Sequence, residues 1–329
     1  MSKIKIICTL GPASFKDSIL KKLKSQKVNI FRINLSHTSK NQILGKIKYL
    51  KKRNIKNICI DTEGAQLRTT KVKKKLFFKK NKKIKIVVSD DFCNKKKICL
   101  YPKFDLLQCK LNTKIKLGFN NLELKIVKKH KNNNYLITQV VNAGYLESNK
   151  AVHIDQSIKL PPLTEKDLFG IKLALKNGVK FFAMSFVNRS SDVNKIRSII
   201  KNKSFLISKI ETKSALVNLK QISKNSNALL IDRGDLSRYV PIEEIPIAQE
   251  MIIKHGLKNK VPVYVATNLL ETMIKEQQPT RAESHDIFST LRQGASGLVL
   301  AAETAIGKNP LDCVLFMKKV IRVFKKNIK

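Results

Sequence analysis

The stretch LISKIET, residues 206–212, places Lys209 and Glu211 two apart inside an apolar run. Residues i and i+2 of a strand share a face. An ammonium and a carboxylate would then point together into a region where charge is costly unless paired or ligated. Other apolar runs end in the same manner. Arg32, Asn34 and Ser36 alternate along one; Asp61 and Thr62 close another and are followed by Gly64 and Arg68; later runs end in Arg233, Gly234 and Asp235 and in Thr267 and Asn268. Glu211 and Asp235 are hard oxygen donors of the kind that hold Mg²⁺. Lys209 and Arg32 would bracket an anion bridged by that metal. Gly234 and Asp235 open a turn whose backbone N–H groups could meet a carboxylate or phosphate. Asn34, Ser36, Asp61 and Thr62 offer oxygens with a single formal charge, which suits a monovalent cation better than a second Mg²⁺. Metal, lysine and arginine around one anion are the equipment of phosphoryl transfer, where positioning and charge stabilisation dominate. No Gly-x4-Gly-Lys is present, which excludes a P-loop enzyme.

These residues need a scaffold that brings strand ends together. Eight apolar, β-rich runs occur at 3–10, 29–35, 56–62, 179–186, 205–211, 228–233, 261–267 and 297–304. Segments of helical period alternate with them at 16–26, 40–53, 165–177, 191–201, 213–223, 244–258, 283–293 and 310–326. Eight strands alternating with eight helices predict an α/β (β/α)8 barrel, whose active site lies at the C-terminal strand ends, where the polar residues collect. About a hundred residues between the third and fourth runs break the rhythm. They carry short β-type runs, KIKIVVS, KKICLYP, TKIKLGF, LELKIVKK and NNYLITQVV, separated by turn residues. The prediction is a small all-β lid domain at 70–158 inserted after strand 3, with barrel segments at 1–69 and 159–329. Pro161 and Pro162 mark the return, and Thr164 is placed to cap the next helix.

The 329 residues carry a formal net charge of +42. Lysine is spread along the whole chain, as in an AT-rich coding sequence, and no basic–aromatic motif is interleaved with it, which argues against nucleic acid as a partner. A basic field would draw in anionic substrates. The six cysteines form no CxxC pair, so neither a zinc site nor a disulfide framework is expected. No run suits a membrane span or a signal peptide, and a cytoplasmic location is expected.

At this point the residues resemble one family, pyruvate kinase. The resemblance rests on KIICTLGPAS (5–14), FRINLSH (31–37), DTEGAQLRT (61–69), LTEKD (163–167), ISKIE (207–211), RGDL (233–236), PVYVATNLLETMI (262–274), PTRAE (279–283) and ETAIGKNPLDCV (303–314). It implies a kinase of glycolysis that transfers phosphate from phosphoenolpyruvate to ADP or another nucleoside diphosphate. It implies that Arg32 and Lys209 hold the phosphoryl group, that Glu211 and Asp235 ligate Mg²⁺, and that Gly234, Asp235 and Thr267 hold phosphoenolpyruvate, with Thr267 near the point of enolate protonation. Asn34, Ser36, Asp61 and Thr62 would form the K⁺ site. Asn34, His37, Arg68 and Lys150 would serve the nucleotide, Lys150 through the lid segment VNAGYLESNK (141–150).

The chain also departs from the family pattern. LGFNNLE (117–123) has no acid before Glu123 where the family's lid has two aspartates. Gln66 stands where the family's residue sets K⁺ dependence, so K⁺ is expected to activate without being strictly required. Asp232, Asn268, Ala301 and Ala302 are further departures. The sequence stops after the eighth helix, short of the family's effector domain, and a monomer or homodimer is expected. A diverged enzyme acting on phosphoenolpyruvate or another enolate, and a non-catalytic regulatory protein on the same scaffold, are the alternative readings.

Overall fold

The computed structural model describes residues 4–118, 122–156 and 158–327. The chain packs as two compact units, one of residues 1–64 and 165–329, the other of residues 65–164.

The first unit is a closed barrel of eight parallel strands. They are β1 (Lys5–Thr9), β2 (Ile30–Asn34), β3 (Ile58–Asp61), β4 (Phe181–Met184), β5 (Phe205–Ile210), β6 (Ala228–Asp232), β7 (Val263–Ala266) and β8 (Gly297–Leu300). Each strand pairs with its sequence neighbours, and β8 closes on β1 with Lys5 opposite Gly297. Because the strands are covered on both faces they read as near-continuous apolar runs rather than alternating ones. The interior is filled by Ile7, Ile30, Cys59, Ala183, Ile207, Ala228, Leu230, Tyr264, Ala266 and Val299. Two residues beyond an inward-facing position the chain faces inward again. This step carries Ile7 to Thr9, Ile30 to Arg32, Cys59 to Asp61, Ala183 to Ser185, Ile207 to Lys209 and Leu230 to Asp232. The core becomes a polar floor at its C-terminal end by that register alone.

The surrounding helices include α1 (Asp17–Ser25), α2 (Lys40–Lys52), α3 (Glu165–Lys176) and α4 (Ser190–Ile200). The single helix predicted at 213–223 is instead two short ones, α5 (Lys213–Val217) and α6 (Leu219–Lys224). Asn218 breaks it: its side-chain amide donates to the Ser214 carbonyl at 3.0 Å and to Asn188 O at 3.0 Å, offering the backbone a partner outside the helix. After β6 comes a turn of helix that had not been expected, α7 (Arg233–Leu236), then α8 (Ile245–Lys258), α9 (Arg281–Arg292), α10 (Ala302–Ala305) and α11 (Pro310–Asn327). The PTRAE motif is a capping box. Thr280 Oγ1 accepts from the Glu283 N–H at 3.1 Å, and the Thr280 N–H donates to Glu283 Oε2 at 2.7 Å.

The second unit has a seven-stranded sheet and a two-stranded ribbon over its own apolar core. The five expected runs are strands, although Phe119 of TKIKLGF, with Asn120 and Asn121, lies outside the described residues. Four more strands, at Arg68–Thr69, Leu76–Phe78, Gly144–Leu146 and Val152–Ile154, are too short to show a period in sequence. The ends of this unit meet: the Val152 N–H donates to Leu67 O at 2.8 Å and the Thr69 N–H to Lys150 O at 2.8 Å. Among the described residues no helix is long and apolar enough to cross a membrane.

Candidate active site

At the C-terminal end of the barrel the strand-end polar residues form one charged cluster. Lys209 Nζ lies 2.7 Å from Glu211 Oε1, 3.2 Å from Asp232 Oδ2 and 3.8 Å from Asp61 Oδ2. It also donates to Ser185 Oγ at 3.1 Å. Arg32 Nη1 lies 3.2 Å from Asp61 Oδ2, and Arg32 Nε donates to Thr9 Oγ1 at 2.8 Å. Arg32 and Lys209 are each 4 % exposed, and Asp61 and Glu211 are wholly buried. The question raised by Lys209 and Glu211 has its answer here: they face each other and two further carboxylates.

Neighbouring elements hold these groups in place. Ser185 Oγ donates to Thr62 O at 2.7 Å, and the Ser185 N–H donates to Thr62 Oγ1 at 3.0 Å. The Phe186 N–H donates to Glu211 Oε2 at 2.5 Å, and Phe186 takes φ +52° to do so. A bulky residue in that region is strained, and such strain gathers at functional sites. Thr267 and Asn268, after β7, have φ +72° and +54°. They are pinned by Arg233, whose guanidinium donates to Thr267 O at 3.2 and 2.6 Å and pairs with Asp286 at 2.8 Å. Arg233 is therefore engaged in holding the strand end. The Gly234 N–H, expected to be open to a ligand, donates to Thr267 Oγ1 at 2.8 Å. Glu303 joins the loops after β7 and β8 by accepting from Leu270 N–H at 3.3 Å and Ala301 N–H at 2.7 Å.

Charge and burial set the protonation states. Burial works against the Lys209 ammonium, but Asp61, Glu211 and Asp232 outweigh it and raise its pKa above the ordinary lysine value. Burial likewise pushes the Asp232 carboxyl up, yet Lys209 and Arg32 hold it below the usual range. Glu211 goes the other way. Its burial, reinforced by Asp235 and Asp232, prevails over the pull of Lys209 and raises it.

Of the remaining expected residues, Asn34 accepts the Ser36 N–H at 2.8 Å, and Ser36 and His37 lie in the short 3₁₀ turn Leu35–His37 that follows β2. Thr62 follows β3 and takes part in the Ser185 contacts already described. Arg68 and Lys150 belong to the second unit, where Arg68 Nη1 donates to Asn149 O at 3.4 Å and Lys150 pairs with Glu147 at 3.0 Å. Gln66 is buried there, and its Oε1 has no hydrogen-bond partner.

The family model for the pyruvate kinase barrel domain matches residues 1–314. The chain belongs to the pyruvate kinase family. It is 34% identical to a pyruvate kinase of Thermotoga maritima, with all of this chain and 72% of the relative covered. It is 32% identical to those of Sporosarcina psychrophila and Geobacillus stearothermophilus, with 97% of this chain and 56% of each relative covered. The chain thus spans little more than half the length of several pyruvate kinases it matches.

The metal that the pyruvate kinase family implies can be tested against the donors present. Among the described residues Glu211, Asp232 and Asp235 each offer a carboxylate oxygen, all within 4.8 Å of one another. Glu211 Oε1 is buried and makes no hydrogen bond, although Lys209 Nζ stands close to it. Hard oxygens grouped in this way, one of them lacking a hydrogen bond, fit a divalent cation such as Mg²⁺. Sequence reading did not count Thr9, Ser185 and Asp232 as site residues. The signal was available in the two-residue step from the inward-facing Ile7, Ala183 and Leu230.

Proposed function

We propose that the chain is a phosphotransferase of the pyruvate kinase type, exchanging a phosphoryl group between phosphoenolpyruvate and a nucleoside diphosphate. The observation that carries this reading is the buried Lys209 ammonium, surrounded by acidic groups beside Arg32, at the C-terminal end of a barrel of this family. A bound Mg²⁺, held by Glu211 and Asp235, would neutralise phosphate charge. Lys209 and Arg32 hold the phosphoryl group as the bond from phosphorus to the enol oxygen breaks and a bond to the terminal phosphate oxygen of the diphosphate forms. Lys209 carries most of the charge stabilisation. The enolate left behind takes a proton at its terminal carbon, near Thr267, and leaves as pyruvate. Gly234, Asp235 and Thr267 contact phosphoenolpyruvate. For Gly234 to donate to it, the amide must exchange its present bond to Thr267 Oγ1.

The same reading assigns the nucleotide to Asn34 and His37, with Arg68 and Lys150 of the inserted unit as further contacts and that unit, proposed at 70–158, as a lid. It assigns K⁺ to Asn34, Ser36, Asp61 and Thr62. Gln66 carries no charge to balance the ion and none to replace it, so K⁺ activates without being strictly required. The absent acidic pair in 117–123 removes charge-assisted contacts worth roughly 1.5–3 kcal/mol each. Saturation curves measured with and without K⁺ should therefore show a high KM for the nucleotide and an ordinary one for phosphoenolpyruvate. Tight nucleotide saturation, or no response to K⁺, would each remove one part of the assignment.

The Asp232 carboxylate, 3.2 Å from Lys209, favours a second reading. An anion placed beside the phosphate-holding lysine suits enolate chemistry without transfer to a nucleotide. Pyruvate release from phosphoenolpyruvate with several nucleoside diphosphates, and with none, in the presence and absence of Mg²⁺, separates the two. Release that needs the diphosphate supports the kinase, and release without it supports the second reading.

A further inference from the structure

Six charged side chains meet at the barrel mouth. Arg32 and Lys209 are cationic, while Asp61, Glu211, Asp232 and Asp235 are acidic. Complete pairing of both cations still leaves two negative charges in a site where Asp61 and Glu211 are wholly buried and Asp232 is 6 % exposed. Buried charge of one sign needs a counter-charge. A divalent cation supplies the two units missing. The geometry locates it, because Glu211, Asp232 and Asp235 present oxygens within 4.8 Å of one another. Two oxygens across one Mg²⁺ stand about 4.2 Å apart, twice the roughly 2.1 Å metal–oxygen distance, so small side-chain rotations close the set. Two further observations point to an ion. Glu211 Oε1 is buried without a hydrogen bond. Asp232 directs Oδ2 to Lys209, while its Oδ1 lies 3.7 Å from where a side chain on Gly234 would begin, on the side of the turn that carries Asp235.

We propose that Asp232 is a third carboxylate ligand of the divalent cation, so that this chain binds the ion before any phosphorylated substrate arrives. The inference rests on the Mg²⁺ reading of Glu211 and Asp235 given above. Asp232 then bridges the ion and Lys209, which holds the ammonium at a fixed place beside the metal. Two carboxylates alone would leave the ion reliant on oxygens of the substrate; three make the empty site competent.

The test is direct binding of Mn²⁺ to the full chain without phosphoenolpyruvate or nucleotide, with free Mn²⁺ followed by electron paramagnetic resonance. The parent should bind one ion, and Asp232→Asn and Asp232→Ala should each weaken binding at least tenfold. Asp232→Glu should restore part of it. Circular dichroism of the ion-free variants confirms that each is folded, and the near-isosteric Asn variant keeps the test open if the Ala variant is not. Asp232→Asn binding Mn²⁺ as tightly as the parent overturns the proposal. If Glu211→Gln and Asp235→Asn then still weaken binding, only the role of Asp232 falls. If they also bind as the parent does, the Mg²⁺ reading falls with it.

Discussion

Lys209 shows how one side chain gets its chemistry from its neighbours. A buried ammonium would ordinarily lose its proton. Here three acidic groups within 3.8 Å keep it charged, and Ser185 Oγ fixes its direction. An incoming phosphoryl group therefore meets a cation already desolvated and oriented, the preorganised state in which such a group is most effective. Lys209→Met keeps the bulk and removes the charge. Pyruvate formation should fall by about 10²–10³, the usual effect of losing one transition-state donor. Steady-state rates at saturating phosphoenolpyruvate test this, and turnover equal to the parent's would remove Lys209 from the mechanism.

At the scale of elements, the link from β3 to its neighbours carries the greatest structural demand. The Asp167 carboxylate, on the first turn of α3, accepts the Glu63 N–H at 2.8 Å and the Gly64 N–H at 3.1 Å. Lys166 pairs with Glu63 at 3.0 Å. The LTEKD motif thereby ties a helix to the strand end that carries Asp61 and Thr62. Asp167→Ala leaves two buried amides without an acceptor, a cost of about 2–4 kcal/mol. A fall in Tm on the order of 10 °C should appear by calorimetry. Gly64 is constrained in a second way. Its φ is +70°, and a Cβ added there would lie 2.7 Å from Ser185 O and 2.9 Å from Ser185 Cβ. Gly64→Ala must push the backbone of Ser185, whose hydroxyl holds Lys209. It should lower Tm and also lower kcat at saturating substrate, whereas Asp167→Ala should act chiefly on Tm. A Gly64→Ala variant with parental kcat would show that the Ser185 position is not critical.

For the whole molecule the dominant quantity is the net charge of +42. Anionic substrates diffusing to such a body are steered by its field, an effect that acts on encounter and fades with salt. The Debye length shrinks from about 30 Å at 0.01 M to about 8 Å at 0.15 M. Raising ionic strength with choline chloride at constant K⁺ and Mg²⁺ should lower kcat/KM for the phosphorylated substrates several-fold while kcat stays constant. A kcat/KM independent of salt would mean that the charge does not act on substrate capture.

The strand and helix rhythm of the barrel and the insertion after β3 were legible in the sequence because they depend on local patterns. A buried parallel strand is a short apolar run, and an amphipathic helix repeats every 3.6 residues. Lys209, Glu211, Arg32 and Asp61 stood out because a charge in such a run is costly and needs a reason. Tertiary structure alone decided which groups meet. Thr9, Ser185 and Asp232 come from three different strands, and only the barrel register brings them against Arg32 and Lys209. The engagement of Gly234 by Thr267, the break at Asn218 and the use of Arg233 to pin β7 depend on partners 33, 30 and 34 residues away. The order of strands in the inserted sheet, with Lys83–Val88 parallel to Lys97–Tyr101 but antiparallel to Tyr135–Asn142, was equally hidden. A sequence pattern shows which face of an element is buried. Which residue waits opposite it is set by closure of the sheet, and that depends on the whole chain at once.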